Sequence, residues 1–207
     1  MDYEESKIKL VKDLGFSEEK LDKLKIYVNE LLNFNKKYNL ISKNSEKHIW
    51  SRHILDSAQL VKFIDPKENH SLADLGTGAG LPGIVLSIYY GDILSFHVKL
   101  FEKSNVKNEF LRVIIKKLDL RASLYDNDYQ SHIIDSQYIV CRAFKKIGEI
   151  IKISREKAKK SHKLIVMMGK SAQGEINKAS KGIIYKYKLV PSITERDSKI
   201  LLVDVIK

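Results

Sequence analysis

The sequence predicts an α/β fold: a mostly parallel sheet covered by helices on both faces, closed by an antiparallel pair of strands and preceded by a helical segment. Three observations predict it. From residue 71 onward, strand-like and helix-like runs alternate, the pattern of parallel strands joined by crossover helices. The last two apolar runs flank a short turn region, which joins antiparallel neighbours. Before residue 65 the apolar residues recur only at helical spacing. The expected organisation is a helical cap over residues 1–64 and an α/β domain over 65–207, without internal repeats or low-complexity linkers.

Taken in order, Ser17 followed by Glu18 and Glu19 reads as a helix N-cap with acids in the first turn, where the helix dipole favours them. Leu21, Leu24, Val28 and Leu31 then line one face of a helix over residues 17–38. A second helical pattern covers 45–64. Beyond Pro66, "SLADLG" is a short strand, Pro82 to Tyr89 a helix, and "SFHVKLFE" a second strand. Val106, Phe110, Leu111, Ile114 and Leu118 mark the next helix face. "ASLYD", "QYIVCRAF" and "KLIVMMG" are the third to fifth strands, with basic helical segments between them. "IIYKYKLV" and "KILLVDVI", separated by the Pro191 to Ser198 region, form the terminal pair.

Composition bounds the rest. A chain of 207 residues with 43% hydrophobic content buries one good core. The single cysteine, Cys141, excludes an intramolecular disulfide framework and suits a reducing compartment. The N-terminus lacks the apolar run of a signal peptide, and no run of about 18 apolar residues occurs, so a cytoplasmic protein without membrane spans is expected. The net charge is +11, and it is unevenly placed. Residues 1–64 carry 12 basic and 10 acidic side chains, whereas residues 145–190 carry 13 basic and 3 acidic. That late excess is the footprint of a polyanion partner or, equally, a solvated lysine face.

Between the first strand and its helix lies "ADLGTGAGLPG" (73–83). Ligands of open parallel sheets bind beyond the carboxyl ends of the strands, and Gly76, Gly78 and Gly80 fall there. Two spacings overlap. Gly78 to Gly83 fits the G-x-G-x-x-G of a dinucleotide loop, and Asp74 to Gly80 fits the D-x-G-x-G-x-G associated with S-adenosylmethionine. Glu102, 22 residues beyond Gly80 at the end of the second strand, is placed to accept hydrogen bonds from ribose hydroxyls of either cofactor. Asp74 discriminates: a carboxylate there can meet an ammonium or sulfonium end but would repel a pyrophosphate. The helical segment before the first strand and the closing hairpin favour the methyl donor too.

Four segments, "FNKKYNLIS" (34–42), "RHILDS" (52–57), "DLGTGAGLPGI" (74–84) and "CRAF" (141–144), stand in this order. With them the chain, from about Leu31 to its end, resembles the bacterial small-subunit ribosomal RNA guanine-N7 methyltransferase family, also called glucose-inhibited division protein B. The resemblance implies a Rossmann-like S-adenosylmethionine-dependent methyltransferase fold of seven strands behind a helical N-terminal cap. It also implies methylation of a guanine N7 in the 530 loop of 16S rRNA, on naked RNA or the small ribosomal subunit. By matching position it assigns cofactor contacts to Gly76, Leu81, Asn127, Asp128 and Arg142. Asp74, Gly78, Gly80 and Glu102 join them on the physical argument above. The family usually carries Asp at the position of Glu102, and a lysine near Met168 that this chain lacks; Lys170 stands close by.

The chemistry implied is simple. Guanine N7 has an exposed lone pair and no proton, so methyl transfer needs alignment and no general base. Arg142, at a strand end, is the expected positioning residue, its guanidinium suited to a carboxylate, a phosphate or the guanine O6/N7 edge. Cys141 sits inside an apolar run and reads as a buried strand residue, not a nucleophile. His53 and Asp56, three apart on a helix, read mainly as hydrogen-bonding partners that tie cap to sheet, and no metal site is expected. Arg52, His53, Lys159, Lys160 and Lys170 are the candidate substrate contacts, and the enzyme is expected to act as a monomer. Two rivals remain open at this point: a non-catalytic RNA-binding assembly factor with a methyltransferase fold, and an NAD-dependent oxidoreductase.

Overall fold

A computed structural model describes residues 3–66, 70–126, 131–170, 174–176 and 186–207. Helices α1 (Tyr3–Lys12) and α2 (Glu18–Tyr38) open the chain. Ser17 caps α2 as expected, its side chain accepting from the Lys20 amide at 3.3 Å. The expected helix over 45–64 is instead broken. It comprises α3 (Lys43–Glu46), a π-helical turn (Trp50–Leu55), α4 (Asp56–Ala58) and a 3-10 turn (Gln59–Phe63). The apolar spacing is nearly helical throughout, so periodicity alone does not reveal the change of pitch. Wide π turns often mark functional segments, and this one carries Arg52 and His53.

Among the described residues the sheet has seven strands: β1 (Ser71–Leu75), β2 (His97–Phe101), β3 (Ala122–Tyr125), β4 (Tyr138–Arg142), β5 (His162–Met168), β6 (Tyr187–Pro191) and β7 (Lys199–Val205). Their spatial order is β3-β2-β1-β4-β5-β7-β6, with β7 antiparallel to both of its neighbours. The last strand therefore inserts between β5 and β6. Helices α5 (Gly83–Tyr89), α6 (Asn105–Lys117) and α7 (Ile147–Lys157) are crossovers or part of them.

Alternate residues along the strands feed two cores. Leu72, Leu100, Val140 and Ile165 face a cluster with α5, α6 and the N-terminal helices, including Leu10, Leu21 and Leu31. Leu75, Ile139, Leu164 and Val166 face a second cluster around α7. The helical cap thus shares the core of one sheet face. Tyr27 of α2 reaches further, donating from its hydroxyl to the Ala79 carbonyl of the glycine loop at 2.8 Å. Among the described residues no helix is long and apolar enough to cross a membrane.

Candidate functional site

The loop after β1 is shaped by positive-φ glycines, Gly76, Gly78 and Gly80. The three do different things. A Cβ on Gly78 would meet nothing nearer than 3.9 Å, so this glycine borders open space. A Cβ on Gly80 would overlap the Ile84 side chain and lie 3.2 Å from Leu111 Cδ2, so Gly80 faces the core. Gly76 lies under the ring of Phe144. Leu81 is buried.

Two carboxylates hold this loop. Asp74 is fully buried, and its Oδ2 accepts from Thr77 Oγ1 at 2.6 Å and from the Gly83 amide at 2.7 Å. Through Oδ2 the side chain of Asp74, expected to meet the ligand's cationic end, points into the loop and braces it against the start of α5. Its Oδ1 is buried without a hydrogen-bond partner among the described residues. Burial, only partly offset by the Thr77 and Gly83 hydrogen bonds, pushes the carboxyl up to about 7. Glu102, at the end of β2, accepts from the Gly78 amide through Oε2 and from the Ser104 amide through Oε1, both at 2.9 Å. Each oxygen keeps a second acceptor site. Asn127 and Asp128 lie outside the described residues.

One strand over, Arg142 ends β4. Its Nη1 meets His53 Nδ1 at 3.1 Å, its Nη2 donates to the Arg52 carbonyl at 2.7 Å, and Asp56 Oδ2 lies 3.5 Å from Nη2. Since guanidinium can only donate, His53 Nδ1 is the acceptor and the ring is neutral. Burial first, then Arg142 and Arg52, lower this histidine to about 3. The reading of His53 and Asp56 as ties between the N-terminal segment and the sheet matches this geometry. Cys141 is fully buried, and burial pushes its thiol well up, away from a reactive thiolate.

Beside Arg142 a cavity of about 240 Å³ opens at the carboxyl ends of β4 and β5, roofed by the turn between β6 and β7. Arg52, Asp56, Met168, Ser192 and Thr194 contribute to its walls. Lys170 follows β5 at this end and lies 3.6 Å from Asp197. Lys159 and Lys160 stand before β5, at the opposite end of the sheet, paired with Asp135 at 3.5 and 2.6 Å. The structure therefore brings Arg52, His53, Arg142 and Lys170 to one edge and leaves Lys159 and Lys160 at the other. Thr77, Tyr27 and the Ser192/Thr194 turn also shape the site without having stood out in the sequence. Thr77 alone carried a local signal, a hydroxyl set between the loop glycines.

The sheet order, the glycine loop at the end of β1 and the acidic residue ending β2 define a Rossmann-like fold of the S-adenosylmethionine-dependent methyltransferase class. A methyltransferase of that class from Aquifex aeolicus superposes with a TM-score of 0.57 at 14% identity, over 80% of this chain and 96% of that one. The family model described as rRNA small subunit methyltransferase G matches residues 20–201, and the chain belongs to this family. Ribosomal RNA small subunit methyltransferase G of Pelagibacter ubique is 33% identical over 96% of this chain and 94% of its own length. The protein of the same name from Rickettsia bellii is 36% identical over 88% and 92%.

Proposed function

We propose that this protein methylates N7 of a guanine in the 530 loop of 16S ribosomal RNA, acting in the cytoplasm as a single chain. The observation that carries the reading is the adjacency, within this family's fold, of the glycine loop on β1 and the Arg142 cavity on β4, two strands that pair directly. The open side of Gly78 and the spare acceptor sites of Glu102 fit the methionine and ribose parts of S-adenosylmethionine; Gly76, Leu81, Asn127 and Asp128 complete the proposed contacts. The bound cofactor supplies an electrophilic methyl on a sulfonium.

Bound against Gly78 and Glu102, the cofactor would offer that methyl to the N7 lone pair, a reaction that would need no general base from the chain. The chain's task is alignment. Asp74 and Thr77 fix the loop that sets the donor's height, and Tyr27 anchors it from the cap. Arg142, held by His53 and the Arg52 carbonyl, fixes the acceptor side. Arg52 and Lys170 flank that edge as contacts for RNA phosphate, while Lys159 and Lys160 would touch only RNA that reaches the far end of the sheet.

The test is transfer of a radiolabelled methyl group from S-adenosylmethionine to rRNA and to small-subunit particles lacking the modification, with the label mapped. Label at guanine N7 is expected, and no transfer to either substrate sinks the reading. Full cellular function of Arg142→Ala without transfer would favour the assembly-factor alternative.

A further inference from the structure

The cavity beside Arg142 contains a carboxylate that the methyl-transfer chemistry leaves without a task. Resting on the reading above, we propose that this cavity receives the acceptor base and that Asp56 selects guanine by accepting from its N1–H and 2-amino groups.

The side chain of Asp56 is divided between two jobs. Its Oδ1 accepts from Gln59 Nε2 at 2.7 Å, Thr194 Oγ1 at 2.8 Å and Ser192 Oγ at 3.3 Å. These donors come from the N-terminal segment and from the β6–β7 turn, and they fix the carboxylate in place. Among the described residues, Oδ2 has only Arg142 Nη2 at 3.5 Å, which leaves it acceptor capacity to spare. Asp56 lines the cavity.

A carboxylate repels the O6/N7 edge of guanine, which carries only acceptors. It binds the opposite edge. Guanine alone among the four RNA bases presents two adjacent N–H donors on its Watson–Crick edge, the edge by which enzymes read an extruded base. Held there, guanine projects N7 away from Asp56. The location agrees, because β1 and β4 are neighbours and strands lie about 4.8 Å apart, so a base over β4 and β5 sits beside a donor held over β1. Met168 gives the cavity an apolar wall for the ring. Glu195 also lines the cavity, but it is exposed on the turn and is the rival carboxylate to test.

The discriminating substrate is small-subunit RNA carrying inosine, which lacks only the 2-amino group, at the guanine first mapped with the wild-type protein. Wild-type kcat/KM is expected to fall by about 10- to 100-fold on the inosine RNA, the value of a hydrogen bond to a charged acceptor. In Asp56→Asn the amide oxygen stays with Thr194 and Gln59, and the NH2 faces the cavity. This variant is expected to methylate slowly and to treat the two RNAs nearly alike, whereas Glu195→Gln keeps the preference. Equal use of guanine and inosine by the wild type overturns the proposal even if Asp56→Asn fails to fold. Undiminished preference in a folded Asp56→Asn, or its loss in Glu195→Gln, also overturns it. If the wild type modifies no guanine RNA at all, the methyl-transfer reading itself fails, a result distinct from equal use of both.

Discussion

Two glycines two residues apart should respond to the same substitution in different ways. Gly78 and Gly80 adopt φ of +62° and +97°, so alanine at either position carries the left-handed penalty of about 1–2 kcal/mol. At Gly78 the added methyl enters open space, and no packing cost follows. At Gly80 it collides with Ile84 and crowds Leu111, adding about 1–3 kcal/mol of overpacking. Gly80→Ala is thus expected to be the less stable by about 1–3 kcal/mol, read from urea unfolding midpoints at equal slope. Titration calorimetry with S-adenosylmethionine should give the reverse ranking. The methyl on Gly78 occupies the surface proposed for the cofactor, and affinity should drop at least about tenfold, or about 1.4 kcal/mol. Equal midpoints for the two variants, or a stable Gly80→Ala that loses affinity as Gly78→Ala does, would refute this division of labour.

Other variants address the remaining groups. Asp74, raised to about 7 from an unfolded value near 4, favours folding while protonated, so its contribution declines by up to about 1.4 kcal/mol per unit as pH rises from about 4 to 7. Asp74→Asn should therefore gain stability relative to wild type across that window in unfolding series at fixed salt. His53, lowered to about 3, contributes with the opposite sign: its share is present above about 6.5 and is lost as pH falls toward 3, and the loss should vanish in His53→Gln. Tyr27→Phe leaves the buried Ala79 carbonyl without its donor and should cost about 1–3 kcal/mol of unfolding free energy. Cys141→Ala should leave methyl transfer within about twofold while costing about 1 kcal/mol, whereas loss of transfer by a stable variant would restore the thiol as a candidate. Lys170→Ala should make the salt dependence of RNA binding shallower by about one phosphate contact, and Lys159→Ala/Lys160→Ala should leave it unchanged.

Local pattern made the fold legible. Alternating strand and helix signals placed the strands to within a few residues, because strand burial on both faces and amphipathic crossovers leave their period in the chain. The glycine loop was legible for the same reason, since left-handed turns at Gly76, Gly78 and Gly80 need glycine. Spacing tells which residues lie near a loop, not which way they point. Asp74 stands two residues before the first glycine in sequence yet is turned inward by Thr77 and Gly83. The lysines show the same limit over a longer distance. Lys160 and Lys170 belong to one basic stretch, but the seven-residue strand β5 runs between them. At about 3.3 Å per residue it carries them to opposite ends of the sheet's strands, about 20 Å apart. Charge counted along the chain therefore overstated how much of it reaches the cleft. The cavity is the hardest case. Asp56 meets Thr194 across 138 residues and Arg142 from another element, so no local pattern announces the three together. What sequence did supply there was the identity of the parts: an aspartate in "RHILDS", an arginine in "CRAF" and hydroxyls in a turn. Only the sheet order, with β7 inserted between β5 and β6, brings that turn over the end of β4 and sets its hydroxyls, Arg142 and the Asp56 carboxylate around one cavity beside the methyl-transfer site proposed here.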